Sequence, residues 1–248
     1  MKKIRWDHPR LRPFKSLLCV IGCLISLVMI YIVLGCPTLS FQQEFRRAEK
    51  AHLVGPSKIV DTVEYGYNDF DEMIVGETEH GVCFFGKYYA NIPKRSPNEQ
   101  PKYRFHYWEK TGDLTVVAPP NPLGRLWDAL GGASLPVYLF AEYPQAAWAE
   151  LEMTIKGTDK SSINGVEITR DFSVNFQSTA ACLESGVFRF WLGGIKEEEC
   201  LALCLFSDIV SGNRYLSDVE KQTVIPVTIR LYDDQDQLIL EKTVDIRY

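Results

Sequence analysis

Between Ser16 and Gly35 the chain reads SLLCVIGCLISLVMIYIVLG, a run with no charged side chain. An apolar run of about 20 residues makes a helix of about 30 Å, the thickness of a bilayer's hydrocarbon core, and a helix bonds its own backbone polar groups where lipid cannot. Residues 16–35 are therefore expected to form a transmembrane anchor. Beyond it the period changes. Phe41, Phe45, Ala48 and His52 recur at helical spacing, Ser40 with Gln43 has the form of a capping box, and Gly55-Pro56 supplies a stop. This predicts an amphipathic helix over about 41–53. Its aromatic face is expected to pack on the sheet that follows; a place on the membrane surface is the other reading, since Arg46, Arg47 and Lys50 flank that face.

From residue 57 the pattern becomes that of strands. Ile59–Tyr65, Glu72–Glu77, Gly81–Tyr89, Tyr103–Glu109 and Asp113–Ala118 are rich in β-branched and aromatic residues, with turn chemistry at Glu79-His80-Gly81 and Lys110-Thr111-Gly112-Asp113. An antiparallel meander is expected, with an exposed loop over 90–102. Three prolines within 119–122 mark a boundary. A short helix is expected over Leu123–Leu130. Strands follow at Val137–Phe140, Ala147–Lys156, Val166–Gln177 and Val187–Leu192, with Asn164-Gly165 suited to a tight hairpin turn. Lys196–Phe206 reads as a helix by Glu, Leu and Ala propensity, or as a strand buried on both faces. The clearest hairpin closes the chain: Ile225, Val227, Ile229 and Leu231 share one face, and Leu238, Leu240, Val244 and Ile246 return from a turn at 233–237.

The fold class expected is mostly β with a few helices. A transmembrane helix leads into a helix plus antiparallel meander over 36–118, then a β-sandwich-like, immunoglobulin-like unit over 119–248. A hydrophobic share of 46% and a charged share of 24% suit ordinary globular folding.

Charge orients this arrangement. Residues 1–15 hold Lys2, Lys3, Arg5, Arg10, Arg12 and Lys15 against Asp7, so of the chain's 27 cations and 32 anions, residues 16–248 carry 21 and 31, a net of −10. A basic flank stays on the cytoplasmic side of a span, which makes 1–15 a cytoplasmic tail and places the bulk outside the cell membrane. The acidic remainder disfavours nucleic acid as a partner. A cleaved signal peptide is a rival reading, though the apolar run is long for one. A second rival is a lipoprotein signal: Val33-Leu34-Gly35-Cys36 resembles a lipobox, which would make Cys36 a lipidation site. All three readings leave the bulk extracytoplasmic.

Catalytic signatures are missing from the chain. His52, His80 and His106 belong to no metal-binding spacing, no serine stands in a nucleophile context, and no phosphate-binding loop is present. Cys83, Cys182, Cys200 and Cys204 are expected as small buried residues rather than a disulfide framework or a zinc site. No catalytic, cofactor-binding or metal-ligating residue is therefore nominated. Tyr103, Phe105, Tyr107 and Trp108 are the candidates for a binding face, because alternate strand residues point to opposite sides and one set of these aromatics is free to meet a ligand.

The segments FRRAEKAHLVGPSKI, MIVGETEHGVCFF and IPVTIRLYDDQDQLILE resemble an uncharacterised group of small, N-terminally membrane-anchored extracytoplasmic proteins of Gram-positive bacteria. The resemblance implies location and lineage and carries no binding residue with it. The expectation is a non-enzymatic, anchored binding or assembly module for an envelope protein or polymer. The alternatives are an envelope hydrolase or modifying enzyme with an unrecognised site, and a sensor domain acting through a membrane partner.

Overall fold

The computed structural model describes residues 12–33, 40–64, 72–88, 102–119, 133–163, 166–184, 186–194, 196, 198–200, 202–203 and 225–246. The chain forms two compact units, 1–47 and 48–248. The first contains helix α1, Arg12–Val33, which is 22 residues long. Its described side chains, 16–31, are exposed throughout, Leu17, Leu24, Leu27 and Ile30 among them. No helix among the described residues is long and apolar enough to cross a membrane.

Helix α2 spans Phe41–Ala51. Ser40 caps it: the Gln43 amide donates to the Ser40 hydroxyl at 3.3 Å, and the amides of Gln43 and Glu44 donate to its carbonyl. The expected stop at Gly55-Pro56 comes earlier. Val54 donates to the Glu49 carbonyl at 2.8 Å and Leu53 to that of Lys50 at 3.2 Å, with Leu53 in the left-handed region at φ 57°. This is a Schellman ending, in which two orphan carbonyls of the last turn are satisfied and a leucine stands where glycine is usual. The carboxylate of Glu49, buried, then accepts from the Ser57 amide at 2.8 Å and the Ser57 hydroxyl at 2.5 Å, which joins the helix end to the start of the first strand.

Four strands, β1 (Lys58–Glu64), β2 (Glu72–Glu77), β3 (Gly81–Tyr88) and β4 (Lys102–Glu109), form an antiparallel sheet in the order β1-β2-β3-β4. The expected turn after Glu77 is present: Thr78 donates to the Gly81 carbonyl, and its hydroxyl accepts from the Gly81 amide. The next strand departs from expectation. β5, Leu114–Val117, does not continue the meander but joins a second sheet. All four of its residues are buried. A strand apolar on both faces needs a layer on each side, which a sheet edge facing solvent cannot supply.

The second sheet comprises β5, β6 (Ala133–Ala141), β7 (Trp148–Ile163), β8 (Val166–Glu184), β9 (Val187–Gly194), β10 (Ile225–Tyr232) and β11 (Leu238–Ile246). Its order is β11-β10-β7-β8-β9-β6-β5, and every pairing is antiparallel. The expected two-sheet sandwich is instead one continuous sheet, curled into a nearly closed barrel. The cause is length. β8 is 19 residues long, pairing with β7 from Val166 to Ala181 and with β9 at Cys182 and Glu184, so it bridges what would have been separate sheets. Pro136 and Pro226 fit because the β5 ladder ends at Tyr138 and the β7 ladder begins at Val227, leaving each proline without a neighbour on one side. Of the other expected features, the Leu123–Leu130 helix and the Asn164-Gly165 turn lie outside the described residues. The Lys196–Phe206 segment is helical at 198–200 and 202–203.

Strand alternation builds two cores. Leu135, Val137 and Leu139 of β6 point into the barrel with Phe188, Phe190, Leu151, Met153, Val227 and Ile229. Tyr138 and Phe140 point outward, where they meet Val187 and the Met73, Val75, Val82 and Phe84 face of the small sheet. Burying both faces of β6 accounts for its near-continuous apolar character. Polar contacts lock the layers: Asp61 Oδ2 accepts from Tyr138 at 2.8 Å and from Arg189 at 2.7 Å, and Lys58 pairs with Glu184 at 2.7 Å.

Candidate functional site

The four aromatics nominated on β4 do not form one face. Register places Phe105 opposite Phe85 and Trp108 opposite Val82, so Tyr103, Phe105 and Tyr107 lie on one side and His106 and Trp108 on the other. Trp108 packs against the core between the sheets, edge-on to Phe84 at 5.2 Å. Phe105 is half-buried and stacked on His52 at 4.7 Å. Tyr103, 41% exposed, stacks on Phe85 at 5.5 Å. Tyr107, 37% exposed, lies across Gly81, where any Cβ would overlap its ring. Cys36, the candidate lipidation site, lies outside the described residues.

His106 sits beside Trp108 with ring centroids 5.5 Å apart. Burial, with the nearby charges of Arg104 and His52, lowers its pKa to about 4, so it is neutral near pH 7. A neutral imidazole in an aromatic layer is a packing group here; no carboxylate or nucleophile is found in contact with it.

A different feature arises where the curled sheet comes round on itself. β11 approaches β5, yet no ladder joins them among the described residues. The two edge strands run in the same direction. Seven strands linked by antiparallel pairings alone leave the first and last pointing the same way, and an antiparallel ladder cannot close between strands of like direction. The two edges border a groove of about 370 Å³ lined by Trp108, Glu109 and Thr111, by β5, and by Lys242, Val244 and Asp245 of β11. Its floor is apolar and its rim polar.

One side-chain cluster spans this seam. Asp113, at the head of β5, accepts from Lys242 Nζ through Oδ1 and from the Tyr143 hydroxyl through Oδ2, the latter at 2.9 Å. The Lys242 bond, then the Tyr143 bond, holds the Asp113 carboxyl below the usual carboxylate range, and the same contact raises the Tyr143 phenol above its usual value. At the rim, the exposed carboxylates of Glu109 and Asp245 have no ion-pair partner among the described residues. Sequence reasoning missed this site because Asp113 and Lys242 are 129 positions apart. An odd number of strands, had all been countable, would have signalled it.

The remaining polar groupings are self-contained. On the outer face of β7 and β10, Arg230 meets Glu152 at 3.4 Å and Glu241 at 3.2 Å, and Tyr232 donates to Glu150 at 3.0 Å, so one guanidinium is shared among three carboxylates. A shallow recess of about 250 Å³ lies beside it. Cys83 and Cys200 are buried thiols, as small core residues would be, and Cys182 is half-buried. Among the described residues no group of His, Cys, Asp and Glu has a metal-binding arrangement.

Comparison with protein-family models, with curated proteins and with solved structures returns no match. The geometry alone carries the functional reading.

Proposed function

We propose that this chain is a membrane-anchored, extracytoplasmic binding or assembly module whose binding element is the seam between β5 and β11. The observation that carries the reading is the pair of like-directed strand edges flanking a groove of mixed polar and apolar lining. Free edges are the part of a β-structure most ready to pair with another chain, and folds that have no use for them cover or blunt them. The anchor rests on the uncharged run over 16–35, its basic flank, and the exposed apolar side chains of α1. An anchor and a docking edge in one chain suit a protein that holds a partner at the cell surface.

The test is made with the full chain in its membrane. A photo-crosslinking amino acid is placed at Asp245, on the seam, or at Gln177, on the outer face of β8. The expected result is a discrete cross-linked envelope partner from position 245 and none from 177, with the chain sedimenting with membranes and released by detergent rather than by salt. Equal cross-linking from both positions, or none from 245, overturns the seam; a chain that stays with soluble material overturns the anchor.

A further inference from the structure

Among the described residues, the sheet is one strand short of an all-antiparallel barrel. β5 and β11 run in the same direction, so a strand running opposite to both would pair antiparallel with each and make an all-antiparallel barrel of even number. We infer that the seam accepts an extended segment of a partner polypeptide in this way. The segment has apolar residues at alternate positions and a lysine or arginine beside Glu109 and Asp245. This rests on the seam being the binding element and adds the partner's backbone direction and chemistry.

The alternation follows from the neighbours. Leu114 and Val116 point into the barrel core, while Val117 points to the core between the sheets. A strand beside them meets apolar surroundings on its inner face and the polar rim at its exposed end. The cation follows from charge: Lys242 is already neutralised by Asp113, whereas Glu109 and Asp245 are exposed and unmatched by any ion pair among the described residues. With Asp113 and Lys242 cancelling, the rim is left with two negative charges, which favour a basic segment and repel an acidic one.

Space is the remaining requirement. Strands lie about 4.8 Å apart, so an added strand needs β5 and β11 about 9.6 Å apart, whereas residues of the two come within 8 Å of each other at Cα and the seam must widen to admit it. β11 is hydrogen-bonded to β10 alone, and across the seam the bond from Lys242 to Asp113 holds it. Opening the seam breaks the Lys242–Asp113 pair and loosens the packing of Val244 on the barrel core, but separates no ladder among the described residues.

The inference is tested with the full chain in detergent micelles and labelled peptides of about ten residues. One alternates valine and threonine with lysines at its ends, a second carries glutamates instead, and a third keeps the lysines but is N-methylated along its backbone. The lysine peptide is expected to bind at least about tenfold more tightly than either of the others. On binding, amide exchange slows at 114–117 and 242–245. The doubly charge-reversed variant Glu109→Lys with Asp245→Lys reverses the preference between lysine and glutamate peptides. Equal binding of the N-methylated peptide, exchange protection elsewhere, or a peptide-free dimer with the seam amides already protected overturns the inference. If position 245 still captures a partner in the membrane, such a result leaves the seam as a binding element and removes only the added strand; failure of both removes the seam.

Discussion

Tyr138, buried at the centre of β6, donates its phenolic hydrogen to Asp61 of β1 across the gap between the two sheets, at 2.8 Å. The same carboxylate oxygen accepts from Arg189 of β9 at 2.7 Å. A bulge between Ile59 and Asp61 turns the aspartate toward them. One carboxylate thus satisfies a buried phenol and a half-buried guanidinium that the core would otherwise leave unmatched.

Removing that carboxylate takes away the acceptor that the two donors share. Asp61→Ala is expected to cost about 3 kcal/mol, the range for breaking a largely buried ion pair. Tyr138→Phe should cost only about 1 kcal/mol, because Asp61 keeps Arg189. Chemical denaturation of both variants checks the ranking, and equal losses would show that the aspartate acts through the phenol alone.

The end of α2 offers a stabilising substitution. Leu53 is 94% exposed and held at φ 57°, so its side chain gains little from packing while its backbone pays for a left-handed conformation. Leu53→Gly is expected to raise stability by about 0.5–1 kcal/mol, the left-handed cost minus the extra chain entropy of glycine in the unfolded state. A higher denaturation midpoint with an unchanged slope is the signature to look for; a lower midpoint would mean that the leucine has a contact in solution.

Acid should act on the fold in two separate windows. The folded-state pKa of His106 is about 4, below the usual value of about 6.5. The stability tied to its neutral form is therefore fully present above about 6.5 and erodes as pH falls toward 4. The Asp113 carboxyl is also depressed, but from a lower starting point, so the seam pair persists through that first window and is lost only in stronger acid. Histidine NMR titration with a midpoint near 4, together with loss of the early erosion in His106→Gln, would establish the first step. Asp113→Asn should remove the later one and leave the earlier intact.

These features differ in how far the chain's own pattern announced them. The first strand of the closing hairpin was legible, with Ile225, Val227, Ile229 and Leu231 each completely buried, because alternation states directly which residues share a face, whereas Leu238 of the return strand is exposed beyond a register shift. The start of α2 at Ser40 was legible for a similar reason, since capping is local chemistry. Alternation does not say which strand lies next door. β5 has the apolar run expected of a strand but belongs to the other sheet, and the long ends of β7 and β8, with Gly157, Thr158 and Ser178 among them, carry too little apolar rhythm to show that the hairpin continues. The seam was illegible because it is a property of strand number and curvature. Its residues come from the two ends of a sheet that only the assembled fold brings together.

The aromatic strand β4 supplies the sharpest test of face against function. Tyr103 and Trp108 lie close in sequence and are both large, yet the pleat sends them to opposite sides of the sheet. Trp108 packs among Phe84, Val82 and the outward face of the barrel, so Trp108→Ala is expected to cost about 3 kcal/mol, at the low end for tryptophan truncation because the ring is half-buried. Tyr103 is 41% exposed and makes a stacking contact with Phe85, so Tyr103→Ala should cost about 1 kcal/mol. Because Trp108 also lines the seam groove, its loss should weaken peptide binding even at temperatures where the variant is fully folded, whereas Tyr103→Ala should bind as the parent does. A reversed order, with Tyr103 governing binding and Trp108 indifferent to it, would move the binding face from the seam to the exposed side of β4.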